Sequence, residues 1–283
     1  MPDLPDSPIV SPAWLAERLD APDIRVIDAT WFMPDDPRDA KALFEASRIP
    51  GASFFDIDEI SDLNSPLPHM APPPEKFASR VRKMGVSDSS CVIVYDQHGI
   101  FSAARVWWLF RRMGHEHVAV LDGGFPAWKK AGYPIETGAP KDFVSRHFTP
   151  QPRDDLVLGL DEIRASVAGK RAAILDARGP PRFRGTAPEP RPGVKSGHMP
   201  GAINVPYSSL LTEEGRLKSK QELERLLPHA ASEAPIVTTC GSGVTAAIIA
   251  LALAQLGRWN VPVYDGSWAE WGALDNAPIV TGA

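Results

Sequence analysis

The chain has 283 residues with a net charge of −5, a length that suggests two domains and a charge that, without any Lys/Arg cluster, argues against a nucleic-acid partner. Its composition, 43% hydrophobic and 23% charged, is that of a folded globular protein, and its longest apolar run, Ala246 to Ala254, is far short of a membrane span. Two cysteines, Cys91 and Cys240, are too few for a disulfide framework or a cysteine zinc cluster, and no basic-then-apolar leader opens the chain, so the expectation is a cytoplasmic protein with no metal or organic cofactor, acting on small molecules or proteins.

The first half alternates helix-like and strand-like segments. Ser11 caps a helical pattern over Pro12 to Leu19, and Val26-Ile27-Asp28-Ala29 reads as a buried strand. A helix over Asp39 to Ser47 and a strand over Ser53 to Asp56 follow, then a long loop, Asp58 to Pro74, and a helix over Glu75 to Met84. Cys91 to Asp96 is a strand, Ala103 to Met113 a helix and Val118 to Asp122 a strand. Such alternation predicts an α/β fold with a parallel sheet. Proline is concentrated in Pro66 to Pro74 and Pro180 to Pro192, which are expected to be ordered loops rather than elements.

The second half repeats the first. Ile27-Asp28-Ala29 matches Leu175-Asp176-Ala177 at a shift of 148, and Pro50-Gly51-Ala52 matches Pro200-Gly201-Ala202 at 150. Asp122-Gly123 and Trp128 match Asp265-Gly266 and Trp271, both at 143. A duplicated α/β domain follows, and in it Asp96 is the counterpart of Cys240. The second copy alone carries a nucleophile there, which leaves the first as a partner covering the site, since clefts between domains commonly hold ligands. Cys91 starts an apolar strand and reads as a buried residue without a role.

Cys240 lies between a strand-like run, Pro235 to Thr239, and a helix-like one, Ala246 to Leu256. In the turn Cys240-Gly241-Ser242-Gly243-Val244-Thr245, glycines admit backbone N–H groups close to the sulfur and the following helix adds the positive end of its dipole. Both favour a thiolate and hence a nucleophile. A cysteine that merely packs needs no such turn. A second cluster, Arg182 to Arg191, carries Arg182, Arg184 and Arg191, and a guanidinium is a natural fork for a carboxylate; chemistry alone does not choose among the three.

The repeat, the segment Asp176-Ala177-Arg178, Gly197-His198-Met199-Pro200-Gly201-Ala202, the Cys240 to Thr245 loop and the ending Tyr264-Asp265-Gly266-Ser267-Trp268 together resemble the two-domain rhodanese superfamily over nearly the whole chain. Within it the chain is most similar to the 3-mercaptopyruvate sulfurtransferases. Thiosulfate-using members usually carry Arg and Lys after the cysteine, whereas Gly241 and Ser242 are neutral and suit a donor whose charge lies some bonds from its sulfur. The resemblance implies two tandem rhodanese-like domains, each a mainly parallel sheet flanked by helices: residues 1–139 as a non-catalytic copy contributing to a cleft, 140–155 as linker and 156–283 as the catalytic copy.

It further implies a Cys240 persulfide, Arg182 and Arg191 as the carboxylate-binding pair, a Ser242, His69 and Asp58 proton relay, and the amides of Gly241, Ser242, Gly243, Val244 and Thr245 as the cradle of the outer sulfur. The implied partners are a small-molecule sulfur donor and a thiol acceptor, with thioredoxin as a candidate and cyanide as a laboratory substitute. His198 is read as a structural hydrogen-bonder, because its repeat partner is Arg48. The competing readings are a thiosulfate sulfurtransferase and a non-catalytic binding module. A cysteine phosphatase needs an arginine six places after the cysteine, where this chain has Ala246.

Overall fold

The computed structural model describes residues 4–282, and its chain divides into two compact units. The first holds the chain up to Ser61, Pro72–Arg153 and Leu211–Leu217; the second holds Asp62–Ala71, Asp154–Leu210 and the chain from Lys218. Each half of the sequence therefore gives one loop to the other's unit.

In the first unit, among the described residues, five strands form one parallel sheet: β1 (Ile9–Val10), β2 (Ile24–Asp28), β3 (Ser53–Phe54), β4 (Cys91–Tyr95) and β5 (Val118–Leu121), in the order β1-β5-β4-β2-β3. The helices are α1 (Pro12–Ala16), α2 (Ala40–Ala46), α3 (Pro74–Lys83), α4 (Ala103–Arg112) and α5 (Gly124–Lys130). Ser11 caps α1 by accepting from the Trp14 N–H at 3.1 Å, and Asp39 caps α2 by accepting from Lys41 and Ala42. The core around β2 and β4 buries Phe44, Ile93, Tyr95, Phe125 and Trp128, and removing a ring of this size costs about 3–5 kcal/mol.

The second unit repeats the topology with β6 (Val157–Leu158), β7 (Ala173–Asp176), β8 (Ile203–Asn204), β9 (Ile236–Thr239) and β10 (Val263–Tyr264), in the equivalent parallel order β6-β10-β9-β7-β8. Its helices are α6 (Leu160–Gly169), α7 (Pro180–Phe183), α8 (Lys220–Leu226), α9 (Ala246–Gln255) and α10 (Ser267–Trp271). The sequence of α9, AAIIALALAQ, is apolar all round, and Ala246 through Ala254 are buried accordingly. The duplicated tryptophans do the same work in each unit: Trp128 Nε1 donates to Pro134 O at 2.7 Å and Trp271 Nε1 to Pro278 O at 3.0 Å.

From β7 the chain runs outward to β8 and from β9 outward to β10, so the sheet reverses its winding between β7 and β9. Loops leaving the C-terminal ends of two such strands diverge and leave a crevice, the usual ligand position in open α/β sheets. The Asp176 and Cys240 loops begin there, with Asp176 registered beside Thr239.

The proline-rich stretches are not wholly loops. Pro180 and Pro181 open α7, and Pro74 opens α3. Proline lacks an N–H that the first helical turn does not use, and its fixed φ suits that position, so a pattern read as a helix breaker marks a helix start. Arg182 is thereby on a helix and not in a loop. No helix among the described residues is long and apolar enough to cross a membrane.

Candidate active site

β9 delivers Cys240 to the sheet's C-terminal edge, and α10 fixes its backbone there. The Cys240 carbonyl accepts from the Trp268 N–H at 3.0 Å, the Gly241 carbonyl from the Ala269 N–H at 2.8 Å, and the Cys240 N–H donates to Ser267 Oγ at 3.3 Å. Ser267 Oγ donates in turn to Tyr264 O at 2.8 Å. Ser267 is fully buried at φ 50°, a left-handed conformation that costs a non-glycine residue about 1–2 kcal/mol. Cys240 is 2% exposed, and its backbone is tied to the start of α10, beside Trp268 of the unit's apolar cluster. Cys91 is different: it lies within the first unit's apolar core, and burial pushes its thiol up to about 12.

The turn after Cys240 passes through Gly243 at φ 79° and enters α9. Among the described residues, no protein acceptor engages the N–H groups of Gly241, Ser242, Val244 or Thr245. The first copy reveals what such a turn can hold. There the Asp96 carbonyl accepts from Phe125 N as Cys240's does from Trp268 N, and Gly99 takes the place of Gly243 with φ 120°. Asp96 Oδ2 accepts from the N–H groups of Phe101, Ser102 and Ala103 at 2.8, 2.9 and 2.8 Å, and Oδ1 from His98 N at 2.9 Å. At the shift of 144 that aligns Asp96 with Cys240, those three donors become Thr245, Ala246 and Ala247. A carboxylate oxygen and the outer sulfur of a cysteine persulfide both lie three bonds from Cα. The first copy thus carries a built-in anion at the place a second sulfur on Cys240 would take.

The loop Asp62–Ala71 belongs to the second unit. Its end is tied down by the Ala71 N–H, which donates to Asp265 Oδ2 at 2.7 Å, and by Asp62 N donating to Met70 O at 2.9 Å. Between them His69, 7% exposed and at φ 59°, places Nδ1 2.9 Å from Ser242 Oγ. A ring nitrogen at this distance from a hydroxyl can exchange a proton with it. Asp58 lies in the first unit, where its carboxylate accepts from Trp31 Nε1 at 3.1 and 3.2 Å.

The arginines are not equivalent. Arg182, on α7, donates through Nε to Glu189 Oε1 at 3.2 Å and through Nη2 to Oε2 at 2.5 Å. Its Nη2 also stands 2.8 Å from where a Cβ on Gly241 would be, so the guanidinium lies against the Cys240 turn. Arg184 is exposed, and Arg191 is half-buried in the following loop. Sequence reasoning noted Arg178 only as part of a motif, but it is the fully buried centre of this cluster. Its Nη2 donates to Asp176 Oδ2 at 2.6 Å and to Gly197 O at 2.8 Å, its Nη1 to Glu189 Oε1 at 2.9 Å, and its guanidinium lies 4.2 Å from the centre of the Trp268 ring. Desolvation pulls the Arg178 pKa down, but Asp176 and Glu189 raise it above the ordinary arginine value. His198 serves structure: Nδ1 is 2.8 Å from Phe183 O, its ring stacks on Phe183 at 3.8 Å, and its backbone bridges Val280 as Arg48's bridges Glu136.

The rhodanese-like domain family matches residues 11–131 and again 160–274. The 3-mercaptopyruvate sulfurtransferase of Escherichia coli K12 is 42% identical over 272 residues, covering 94% of this chain and 95% of that protein. The mitochondrial thiosulfate/3-mercaptopyruvate sulfurtransferase 1 of Arabidopsis thaliana is 40% identical over 294 residues, covering 96% and 78%. The crystal structure of SseA from Escherichia coli, described as a 3-mercaptopyruvate sulfotransferase with the rhodanese fold, matches with a TM-score of 0.84 at 39% identity, covering 93% of this chain and 100% of that one. Two five-stranded parallel sheets, a cysteine at the tip of the second and these matches together establish that the chain belongs to the rhodanese-like family, as a tandem two-domain member.

Proposed function

We infer that the chain is a sulfurtransferase that takes sulfur from 3-mercaptopyruvate onto Cys240 and passes it to a thiol, releasing pyruvate. The observation that carries this reading is the 2.9 Å contact of His69 Nδ1 with Ser242 Oγ in the turn that holds Cys240. A thiosulfate donor leaves as sulfite and needs no proton on carbon, whereas a mercaptopyruvate donor leaves as an enolate and needs one.

In the first step the Cys240 thiolate attacks the donor sulfur. The new S–S bond forms as the C–S bond breaks, and its electron pair passes into the enolate of pyruvate. The donor's thiol proton and the proton the enolate requires balance, so the Ser242 hydroxyl and His69 relay one proton from sulfur to carbon, with Asp58 as the third member of the relay. Arg182 and Arg191 hold the donor carboxylate. The N–H groups of Gly241, Ser242, Gly243, Val244 and Thr245 stabilise the charge on the outer sulfur, Thr245 being the counterpart of Phe101, whose N–H holds the Asp96 carboxylate. In the second step an acceptor thiolate attacks that sulfur and Cys240 leaves as thiolate. A small dithiol protein such as thioredoxin fits the second step, cyanide replaces it in an assay, and a reducing compartment such as the cytoplasm keeps Cys240 available. The first copy, residues 1–139, lacks the nucleophile and serves the second by supplying His69 and Asp58.

Kinetics are expected to be ping-pong. Mass spectrometry after exposure to 3-mercaptopyruvate tests the reading: one added sulfur on the Cys240 peptide and none on a Cys240→Ser protein supports it, and an unmodified peptide refutes it. A second reading, with thiosulfate as the main donor, is supported by the similarity to the thiosulfate/3-mercaptopyruvate sulfurtransferase of Arabidopsis and opposed by the neutral turn, and side-by-side kcat/KM for the two donors separates them.

A further inference from the structure

We propose that Glu189 is a positioning residue for donor recognition, holding one edge of the Arg182 guanidinium so that the other edge is presented to a donor carboxylate at the Cys240 turn. Both Glu189 oxygens are engaged: Oε1 by Arg178 Nη1 at 2.9 Å and Arg182 Nε at 3.2 Å, Oε2 by Arg182 Nη2 at 2.5 Å. Its side chain is only 3% exposed, and Arg178, which anchors it, is itself locked on Asp176 and Gly197. Arg182 therefore extends from a rigid base, although 26% of its own side chain is exposed. Its Nη1 meets no acceptor among the described residues, leaving that nitrogen for a ligand.

This arrangement has two consequences. A long arginine normally loses rotamer freedom on gripping an anion, and the Glu189 clamp removes that freedom beforehand. Because Glu189 divides its charge between two guanidiniums, Arg182 also keeps a positive potential for an incoming anion. Gly241 completes the device. A Cβ there would lie 2.8 Å from Arg182 Nη2, so residue 241 and the guanidinium compete for one space. The Gly241 backbone is outside the left-handed region, so alanine can adopt it and the added methyl acts first on the Arg182 guanidinium; any effect of Gly241→Ala on the turn itself is read separately as the part that remains without Arg182.

The inference rests on the reading of Arg182 as carboxylate holder, and the test separates the two. KM and kcat are measured for 3-mercaptopyruvate and for thiosulfate, with melting temperature, in Glu189→Gln, Gly241→Ala, Arg182→Ala and the Gly241→Ala/Arg182→Ala double variant. In Glu189→Gln the KM for 3-mercaptopyruvate is expected to rise about tenfold with kcat within about twofold, while kcat/KM for thiosulfate moves by less than about threefold. In Gly241→Ala a similar rise is expected that vanishes when Arg182 is already absent. This second arm stands even where Glu189→Gln fails to fold. An unchanged KM in a folded Glu189→Gln protein, or a Gly241→Ala effect that persists without Arg182, overturns the inference while Arg182→Ala still raises KM. An Arg182→Ala protein with unaltered KM for 3-mercaptopyruvate overturns the donor reading itself and the inference with it.

Discussion

The Asp96 and Cys240 turns are one backbone design put to opposite uses. In the first copy a carboxylate is part of the chain, and four N–H groups close on it permanently. In the second, the corresponding position bears a thiol, and of the N–H groups aligned with those four, Ser242 and Thr245 meet no protein acceptor among the described residues, whereas Ala247 donates to Val244 O at 3.3 Å. A buried donor without a partner, as at Ser242, costs about 1–3 kcal/mol, so the active turn forgoes stability that its twin retains. The same holds for left-handed backbone: Gly124 occupies its conformation at φ 53° without penalty, while its counterpart Ser267 does so at φ 50° with a side chain. Preorganisation for a transient anion thus appears as strain and unfilled hydrogen bonds, and the duplicate shows the relaxed form.

The sharpest way to break this comparison is Cys240→Asp, which copies the first turn into the second. Sulfur transfer is expected to vanish and thermal stability to rise, by about 1–3 kcal/mol if the new carboxylate collects the turn's N–H groups; a lowered melting temperature would show that the turns are not equivalent. Next in size is His69→Asn, which tolerates the left-handed backbone but cannot shuttle the proton. A loss of about a hundredfold in kcat on 3-mercaptopyruvate at unchanged KM is expected, and a KM effect alone would make His69 a binding residue.

Ser267→Gly restores the first copy's residue. Relief of about 1 kcal/mol of backbone strain offsets the lost hydroxyl contacts, so melting should change little while kcat falls several-fold through the freed Cys240 N–H. Equal losses of stability and activity would make Ser267 purely structural.

The smallest effect concerns a second difference between the copies. Asp176 faces buried Arg178, but its counterpart Asp28 has Thr30 in that place, with the Thr30 N–H and hydroxyl on Oδ1 at 2.8 and 2.5 Å. Burial pushes the Asp28 carboxyl up to about 6 against those hydrogen bonds. Its folded pKa exceeds the unfolded value of about 3.9, so its stabilisation is complete below about pH 4 and is lost as pH rises through about 6. Asp28→Asn should flatten the fall in melting temperature between those limits and leave donor kinetics alone; an unaltered slope would place the titration elsewhere.

Much of this was legible in the sequence because duplication prints each landmark twice. The shifts near 143 to 150 reveal two α/β units, and the Gly-Ser-Gly turn after a strand-like run marks Cys240. The two-residue edge strands Ile9–Val10 and Val157–Leu158 are too short for any periodicity to register. The pairing of His69 with Ser242 spans 173 residues, and only resemblance suggested it. Glu189 lies between Arg184 and Arg191 in the sequence, but its place as a clamp depends on the buried Arg178 behind it, which only the fold reveals. Ser267 had a readable signal, a serine opposite Gly124 in the repeat, which becomes meaningful once both φ values are known.

The exchange of loops between the units bears on biosynthesis. Asp62–Ala71, which carries His69, leaves the ribosome long before β9 and α9 exist, and the first unit's own complement, Leu211–Leu217, emerges late. Neither unit can therefore reach its final form by vectorial, one-domain-at-a-time folding. A nascent chain arrested before residue 211 should display Asp62–Ala71 as a protease-sensitive segment, and cutting the gene between the copies should yield two incomplete products that recover function only when made together.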